Sequence, residues 1–493
     1  MRMQSVGPMR LLNQRWFHSI RTPDISQVPD FSHYSPIKPV NEELAPFVHD
    51  IMQAYQPRSK HVNQQHYYHN RTVLLDDYLQ KSPHPMSLMQ LAQYYDDSTK
   101  LTKLKIINSG RFVKEELSIR IAHQINKLQQ LPFSVVNNFH FVQVYESYYN
   151  IFERFRKYPK IDTIEDTYEF TKFLYLILQD FNSLNLPHMI MGALECIVLD
   201  LYPQDEMDEL LSELLRARIS RRLIVEEHIG ITSNYFSGKQ ENTLVLGDIF
   251  QKCEAKKYLL AASKLCENSI KRMFDKNMQM PELVIEGVTD LKFYFLPAHL
   301  KYLLSEILRN SYEATIKEYI RKGLPKPDPI VVTIIENEDS YLFRISDKGG
   351  GLSQNDQNIW SFGKSKELAS ESLDNFHKLP GLQTVSIYDH IYHENETSRS
   401  RRLVKSLYQN TALGQMSQSN LTKGIFKFEK PLAGLLERPI RYKLGIGLAT
   451  CKVYADYWNG DLTLHSIPSY GTDTVLRLGN LMKNTTKLQL DKV

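Results

Sequence analysis

One stretch limits the architectures open to this chain: Pro297 to about Arg321, reading PAHLKYLLSEILRNSYEATIKEYIR. Leu300, Leu303, Leu304, Ile307, Ser311 and Ala314 recur at three- and four-residue steps, which predicts a helix with one face built for burial. The other face carries His299, Tyr302, Glu306, Asn310 and Glu313, stacked turn above turn. Glu306 and Asn310 are neighbours on it, and asparagine suits a helix interior poorly because its amide competes for backbone groups. Taken alone, such a face reads as solvated.

A strand about twenty residues downstream of this helix changes that reading. Tyr341–Asp347 alternates like a strand and runs into Lys348 and three glycines, Gly349 to Gly351. Asp347 shares parity with Phe343 and Ile345, so it is expected on the buried face. A buried carboxylate needs a specific partner, and a ligand amino group such as that of adenine would serve. Consecutive glycines permit positive φ and close backbone approach to a ligand, although a tight turn by itself would use only one. Further on, Leu444-Gly445-Ile446-Gly447-Leu448 opens an amphipathic helix running to about Trp458, where backbone amides suit phosphate oxygens. Gly471-Thr472-Asp473 then precedes the closing strand, Thr474 to Leu478.

In this order the pieces resemble the nucleotide-binding boxes of the gyrase, heat-shock chaperone, histidine kinase and mismatch-repair (GHKL) ATPase superfamily. Glu306-x-x-x-Asn310 looks like its N-box, Asp347-x-Gly349-x-Gly351 its first glycine box, and Gly445-x-Gly447 with Gly471-Thr472 its second. Within that superfamily, PAHLKYLLSEILRNSYEAT, RISDKGGGL and GLATCKVYADYWNGDLTLHSIPSYGTD are similar to the mitochondrial 2-oxo-acid dehydrogenase kinases. EELSIRIAHQINKLQQLPF and RARISRRLIVEEH carry the resemblance into the first half, so it spans roughly residues 86–480 apart from one insertion. The chain looks like a fungal-type member.

The resemblance implies a protein serine kinase using ATP and Mg²⁺ in the mitochondrial matrix. Glu306 would be the base, Asn310 would hold the metal, and Asp347 would hold the adenine amino group with Thr472 assisting. Gly349 and Gly351 would line the base, and Lys443, Leu444, Gly445, Ile446, Gly447 and Leu448 the phosphates. Glu313, Ser365 and Lys366 would also lie at the nucleotide, the last two in the lid segment. The implied partners are the dehydrogenase subunit of the pyruvate dehydrogenase complex as substrate and the lipoyl domains of its acyltransferase core. A homodimer, or a heterodimer with a related kinase, is implied as well. The branched-chain 2-oxo-acid dehydrogenase is the alternative substrate, and a non-catalytic ATP-binding scaffold the alternative class. Four departures stand out. Glu313 occupies a family arginine position, Lys443 a family glycine and Lys366 a family threonine. Tyr302 stands where pyruvate dehydrogenase kinases carry histidine and the branched-chain enzyme an aromatic residue. Glu313 could weaken the field at the phosphates or pair with Arg309.

The expected fold class is α+β: an N-terminal helical, four-helix-type bundle followed by a GHKL-type α/β sandwich that binds ATP. Residues 1–23 hold Arg2, Arg10, Arg15 and Arg21 and no acid, and read as a mitochondrial transit peptide. Residues 24–65 read as a loosely ordered lead-in, 66–240 as the bundle, 241–480 as the kinase domain and 481–493 as a tail. Helices are predicted over Met86–Tyr95, Ser98–Leu128, Val142–Arg156, Thr167–Leu184, Met189–Leu201 and Glu206–His228. Leu283–Gly287 and Leu291–Leu296 read as a strand pair around a turn, and polar residues 368–430 as a surface insertion in the lid. The net charge of +4 falls to zero without the four leader arginines, which gives no case for nucleic acid. No run of eighteen apolar residues predicts a membrane span. Cys196, Cys253, Cys266 and Cys451 are scattered without a CxxC pair, so neither a zinc site nor a disulfide framework is expected. A dinucleotide-binding reading of Gly445-x-Gly447 fails at Thr450, which stands where the third glycine belongs.

Overall fold

The structure, a computed structural model, describes residues 77–88, 101–136, 138–183, 185–237, 249–273, 278–352, 358–377 and 443–483. The leader, the lead-in, most of the Met86–Tyr95 segment, the bulk of the insertion and the tail beyond residue 483 lie outside them.

Among the described residues, five long helices come first: α1 (Lys103–Gln130), α2 (Phe139–Lys157), α3 (Ile164–Ser183), α4 (Asn185–Val198) and α5 (Gln204–Ser237). Their starts have local causes. The Thr102 hydroxyl accepts from Lys105 N at 3.3 Å, and the Asn138 amide oxygen accepts from His140 N at 3.0 Å. Helix α1 packs on α2, α3 and α5, and α4 on α2 and α5, closing a bundle around Phe152, Phe155, Phe170 and Leu214. Each such side chain is worth about 1.5–3 kcal/mol on burial. Helix α5 runs nine residues past His228, the end expected from sequence.

The second half interleaves β1 (Gln251–Glu254), α6 (Ala255–Met273), β2 (Leu283–Gly287), β3 (Lys292–Phe295), α7 (Pro297–Lys322), β4 (Ile330–Glu336) and β5 (Ser340–Asp347). It continues with α8 (Lys366–His377), α9 (Gly447–Tyr457), β6 (Asp461–Ile467) and β7 (Gly471–Gly479). Five strands form one sheet in the order β2-β4-β5-β7-β6, with β2 parallel to β4 and the other pairs antiparallel. The expected β2–β3 pair does not form: β3 runs antiparallel to β1 in a separate two-stranded sheet. The chain between β2 and β3 is short enough for a hairpin, but Phe293 and Phe295 are buried in the core from that second sheet. Helices α6, α7 and α9 pack in a row on one face of the larger sheet. Among the described residues no helix is long and apolar enough to cross a membrane.

Helix α7 starts on Pro297 and stops at Gly323, whose φ of 60° lets its N–H reach back to Ile320 O and Tyr319 O. Its polar face is not solvated along its length. His299, Tyr302 and Glu306 are as buried as the leucines behind them, and exposure begins at Asn310. Two helices cover that first half. From α9, Tyr454 lies 4.7 Å from the His299 ring and Trp458 Nε1 donates to His299 Nδ1 at 3.0 Å. From α5, Arg218 and Arg222 bring charge close enough to act on His299, while Arg216 pairs with Asp456 of α9 at 2.9 Å.

Candidate active site

Strand β5 alternates as expected: Tyr341, Phe343, Ile345 and Asp347 are buried toward the helices while Arg344 is exposed. The Asp347 carboxylate accepts from Gly349 N at 3.0 Å, and from the Ser311 hydroxyl and the Thr472 amide. Burial pushes its pKa up from the ordinary aspartate value; those three donors pull against the rise, and Asp473 adds a little to it. An ionised carboxylate offers about four acceptor positions, so capacity remains for one more donor.

The turn after Asp347 needs its glycines for separate reasons. Gly350 and Gly351 have φ of 87° and 69°. A Cβ on Gly349 would collide with Ala314 of α7, one on Gly351 with the Ile467 carbonyl, and one on Gly471 with the Asp347 carbonyl. Gly350 N donates to Tyr470 O at 3.2 Å, and Leu352 N to the Ser466 hydroxyl at 2.7 Å. Ser466 lies 3.2 Å from the Thr472 hydroxyl, so β6 and β7 grip this turn from the side.

Across α7 lies the second glycine turn. Gly445 has a φ of 70°, and Gly447 begins α9. A Cβ on Gly447 would fall on the Glu306 carboxylate, which fixes that acid against the first turn of α9. Asn310 is exposed one helical turn further on. Glu313 sits between two ammonium groups, Lys317 at 2.6 Å and Lys443 at 2.9 Å. Burial works to raise the Glu313 carboxyl, but the two lysines outweigh it and hold it below the ordinary carboxylate range. The expected alternative partner, Arg309, is not the one Glu313 takes. Two departures from the family pattern thus neutralise each other.

Most of the predicted site converges. Glu306, Asn310, Glu313, Lys443 and the turn through Leu444, Gly445, Ile446, Gly447 and Leu448 gather at one end, with Asp347, Gly349, Gly351 and Thr472 at the other. Ser365 and Lys366 do not join them. The Ser365 hydroxyl accepts from Leu368 N at 3.3 Å at the start of α8, and Lys366 pairs with Asp200 of the bundle at 2.9 Å. Two site residues, Ser311 and Ser466, are not predicted by the motifs. Periodicity puts Ser311 with Ala314 on the apolar face of α7; small residues ending an apolar stripe are the signal that another backbone approaches there.

His299 lies buried between α5 and α9. Burial first, then Arg222 and Arg218, hold its pKa well below the imidazole norm, and its Nδ1 accepts from the Trp458 indole.

A mixed five-stranded sheet under three helices, with two glycine turns facing an asparagine-bearing helix, defines an ATP-binding domain of the GHKL type. A family profile described as "Mitochondrial branched-chain alpha-ketoacid dehydrogenase kinase" matches residues 85–250. "[Pyruvate dehydrogenase (acetyl-transferring)] kinase 2, mitochondrial" of Saccharomyces cerevisiae is 66% identical over 97% of this chain and 98% of its own. "[Pyruvate dehydrogenase (acetyl-transferring)] kinase, mitochondrial" of Arabidopsis thaliana is 23% identical over 78% of this chain and 87% of its own. The solved catalytic domain of the histidine kinase ThkA aligns with 47% of this chain and 97% of its own, at 12% identity and a TM-score of 0.25. The chain belongs to the mitochondrial 2-oxo-acid dehydrogenase kinase family.

Proposed function

We propose that this chain is a mitochondrial kinase that transfers the γ-phosphoryl group of ATP to a serine of pyruvate dehydrogenase in the matrix, inactivating the complex. The observation that carries it is the Glu306 carboxylate lodged against Gly447, beside the amides that suit phosphate, on the same helix as Asn310. Near-complete alignment with the yeast pyruvate dehydrogenase kinase supports the choice of substrate.

The site fits a nucleotide. Gly445 and Gly447, with no side chains of their own, put backbone amides at a helix start, where anions are favoured. The buried Asp347 has acceptor capacity for an adenine amino group. Asn310 would give Mg²⁺ its protein ligand, an amide oxygen of the hard type that ion takes; the ion would offset charge between phosphate oxygens. Phosphoryl transfer asks the protein chiefly to position groups and neutralise charge. Glu306 accepts the proton of the attacking serine hydroxyl, Lys443 faces the phosphates, and Thr472 with Ser466 steadies the base-side turn. The lipoyl domains of the acyltransferase core are the docking partner, and the bundle the surface that meets them. The branched-chain dehydrogenase is the second reading, favoured by the profile over residues 85–250 and by Tyr302.

Incubation with each purified dehydrogenase and γ-labelled ATP tests both. Label is expected on the serine of pyruvate dehydrogenase, and label on neither substrate rejects the kinase. Glu306→Gln should keep ATP binding while transfer falls by about 10²–10⁴-fold, the range for loss of a general base. Asn310→Ala should lose binding of the metal–nucleotide. Equal loss of binding in both variants would make Glu306 a metal-site partner instead.

A further inference from the structure

Helix α8 lies in the stretch that reads as a polar surface insertion, yet Ala369, Leu373 and Phe376 are buried and the helix packs on α4 of the bundle. The segment leading into it is fastened to the bundle. Gln204 Nε2 donates to the Ser361 hydroxyl at 2.6 Å and to Lys364 O at 3.3 Å, and Phe362 N donates to Asp208 Oδ1 at 2.9 Å. Lys366 pairs with Asp200. Gly363 lies so close to Ile197 that a Cβ there would overlap that side chain.

The other end of α8 reaches the second glycine turn. Asn375, 5% exposed, donates its amide to Lys443 O at 2.8 Å. A Cβ on Gly445 would fall 3.1 Å from the Ser372 hydroxyl, one turn earlier on α8. From Lys366 to Asn375 the axis spans about 13 Å at 1.5 Å per residue.

We propose that α8 is a strut, in which Asn375 positions the phosphate-binding turn at Lys443 while Ser361–Lys366 anchor the strut on the bundle, so that nucleotide affinity is set in part from the bundle. This rests on reading the Lys443–Leu448 turn as the phosphate site. The Lys443 carbonyl opens the turn, two residues before Gly445, whose positive φ directs the following amides. Fixing that carbonyl removes a freedom that binding would otherwise have to quench. A short buried donor serves this better than a lysine side chain, which has more rotamers to immobilise.

The test uses the full chain and an ATP analogue. Hydrogen exchange of the amides of residues 445–448 should slow when the analogue binds; if it does not, the phosphate-site reading fails and the strut with it. With protection established, Asn375→Leu keeps the volume but removes the donor, whereas Asn375→Gln keeps an amide. Loss of one buried hydrogen bond should raise KM for ATP and Kd of the analogue about tenfold in the leucine variant, with kcat at saturating ATP within about twofold. The glutamine variant should recover most of that. A merely structural residue would lower Tm in both variants without the split between KM and kcat. Asp208→Ala should weaken nucleotide binding about threefold by slackening the anchor. Sites this far apart are additive when independent. In the double variant, Asp208→Ala with Asn375→Leu, Kd should match that of Asn375→Leu alone. Multiplicative effects, or an unchanged Kd in Asn375→Leu, would overturn the strut.

Discussion

The two glycine turns do similar work by different means. The Asp347–Gly351 turn is held from within the sheet: Gly471 abuts the Asp347 carbonyl, Gly351 abuts the Ile467 carbonyl, and Tyr470 O takes the Gly350 amide. These three neighbours are backbone in or beside a paired strand, which cannot move without breaking the β5–β7 or β6–β7 register, and side chains of Ala314 and Ser466 close in beside them. The Lys443–Gly447 turn meets side chains instead: Ser372 and Asn375 of α8, and Glu306 and Glu313 of α7. Of these, the Ser372 hydroxyl and the Glu313 ion pairs can change rotamer or partner at smaller cost than paired strand backbone can shift. A base is the same in every turnover, whereas the phosphates change in number and charge through the reaction. A rigid turn suits the former and an adjustable one the latter.

The sharpest way to break this comparison is to put the same methyl group on each turn. Gly351 and Gly445 share nearly the same φ, 69° and 70°, so the intrinsic strain of alanine is matched between them. At Gly351 the methyl also meets a strand carbonyl, while at Gly445, among the described residues, it meets the Ser372 hydroxyl at 3.1 Å, which can rotate away. Gly351→Ala should therefore lose more than about 3 kcal/mol of stability, strain plus an unrelieved clash, and Gly445→Ala about 1–2 kcal/mol. Urea unfolding of both variants measures this. Equal losses would mean that the second turn is as rigid as the first.

Asp347 comes next. Asp347→Asn should cost about 1–3 kcal/mol of ATP affinity and narrow the preference for ATP over GTP, because the guanine carbonyl repels a carboxylate but can accept from an amide. The fold should respond in the opposite sense. A carboxyl raised in the folded state binds its proton more tightly there than in the unfolded chain. Its contribution to stability is greatest below the ordinary aspartate pKa and declines as pH rises through the raised value. At pH 7 the wild type carries that burden and the asparagine variant does not, so Tm should hold or rise while affinity falls. A fall in Tm with an unchanged ATP-to-GTP ratio would reduce Asp347 to a strand-end cap.

Legibility in the sequence divides along the same line, between features set locally and features set by distant neighbours. The parity of Asp347 with Phe343 and Ile345 determines its face, because strand alternation is local. The spacing of Glu306 and Asn310 likewise places both on one side of α7. Burial of His299, Tyr302 and Glu306 is not legible locally, since it comes from Trp458 and Tyr454 more than 150 residues away and from the arginines of α5. The expected β2–β3 hairpin fails for the same reason: β2 finds its partner across α7, and proximity in sequence misleads. Helix α8 is hidden by its short apolar stripe, Ala369, Leu373 and Phe376, whose partner surface belongs to the bundle.

The smallest expected effect lies at Glu313, on the adjustable side. Its carboxylate holds Lys443 at 2.9 Å and Lys317 at 2.6 Å, and both lysines are more than half exposed. Pairs screened by solvent in this way contribute about 0.2–1 kcal/mol, so Glu313→Gln should change Tm little. Nucleotide binding should respond more visibly, because the substitution removes a negative charge from the phosphate side and releases Lys443. An affinity gain of about two- to fivefold corresponds to that energy. Lys443→Gln should lose a similar factor, and in its background Glu313→Gln should gain less than it does alone. Both effects should shrink toward 1 M salt, where the screening length falls to about 3 Å. Because the Glu313 carboxyl lies below the ordinary range, its ion pairs are complete above pH 4.5 and are lost only as pH falls through the depressed value. The gain should therefore be flat from about pH 6 to 8. Calorimetric titration of an ATP analogue across salt and pH measures all of this, and weaker binding in Glu313→Gln would show the acid to be a scaffold for the turn, as firm as the strands that hold the other.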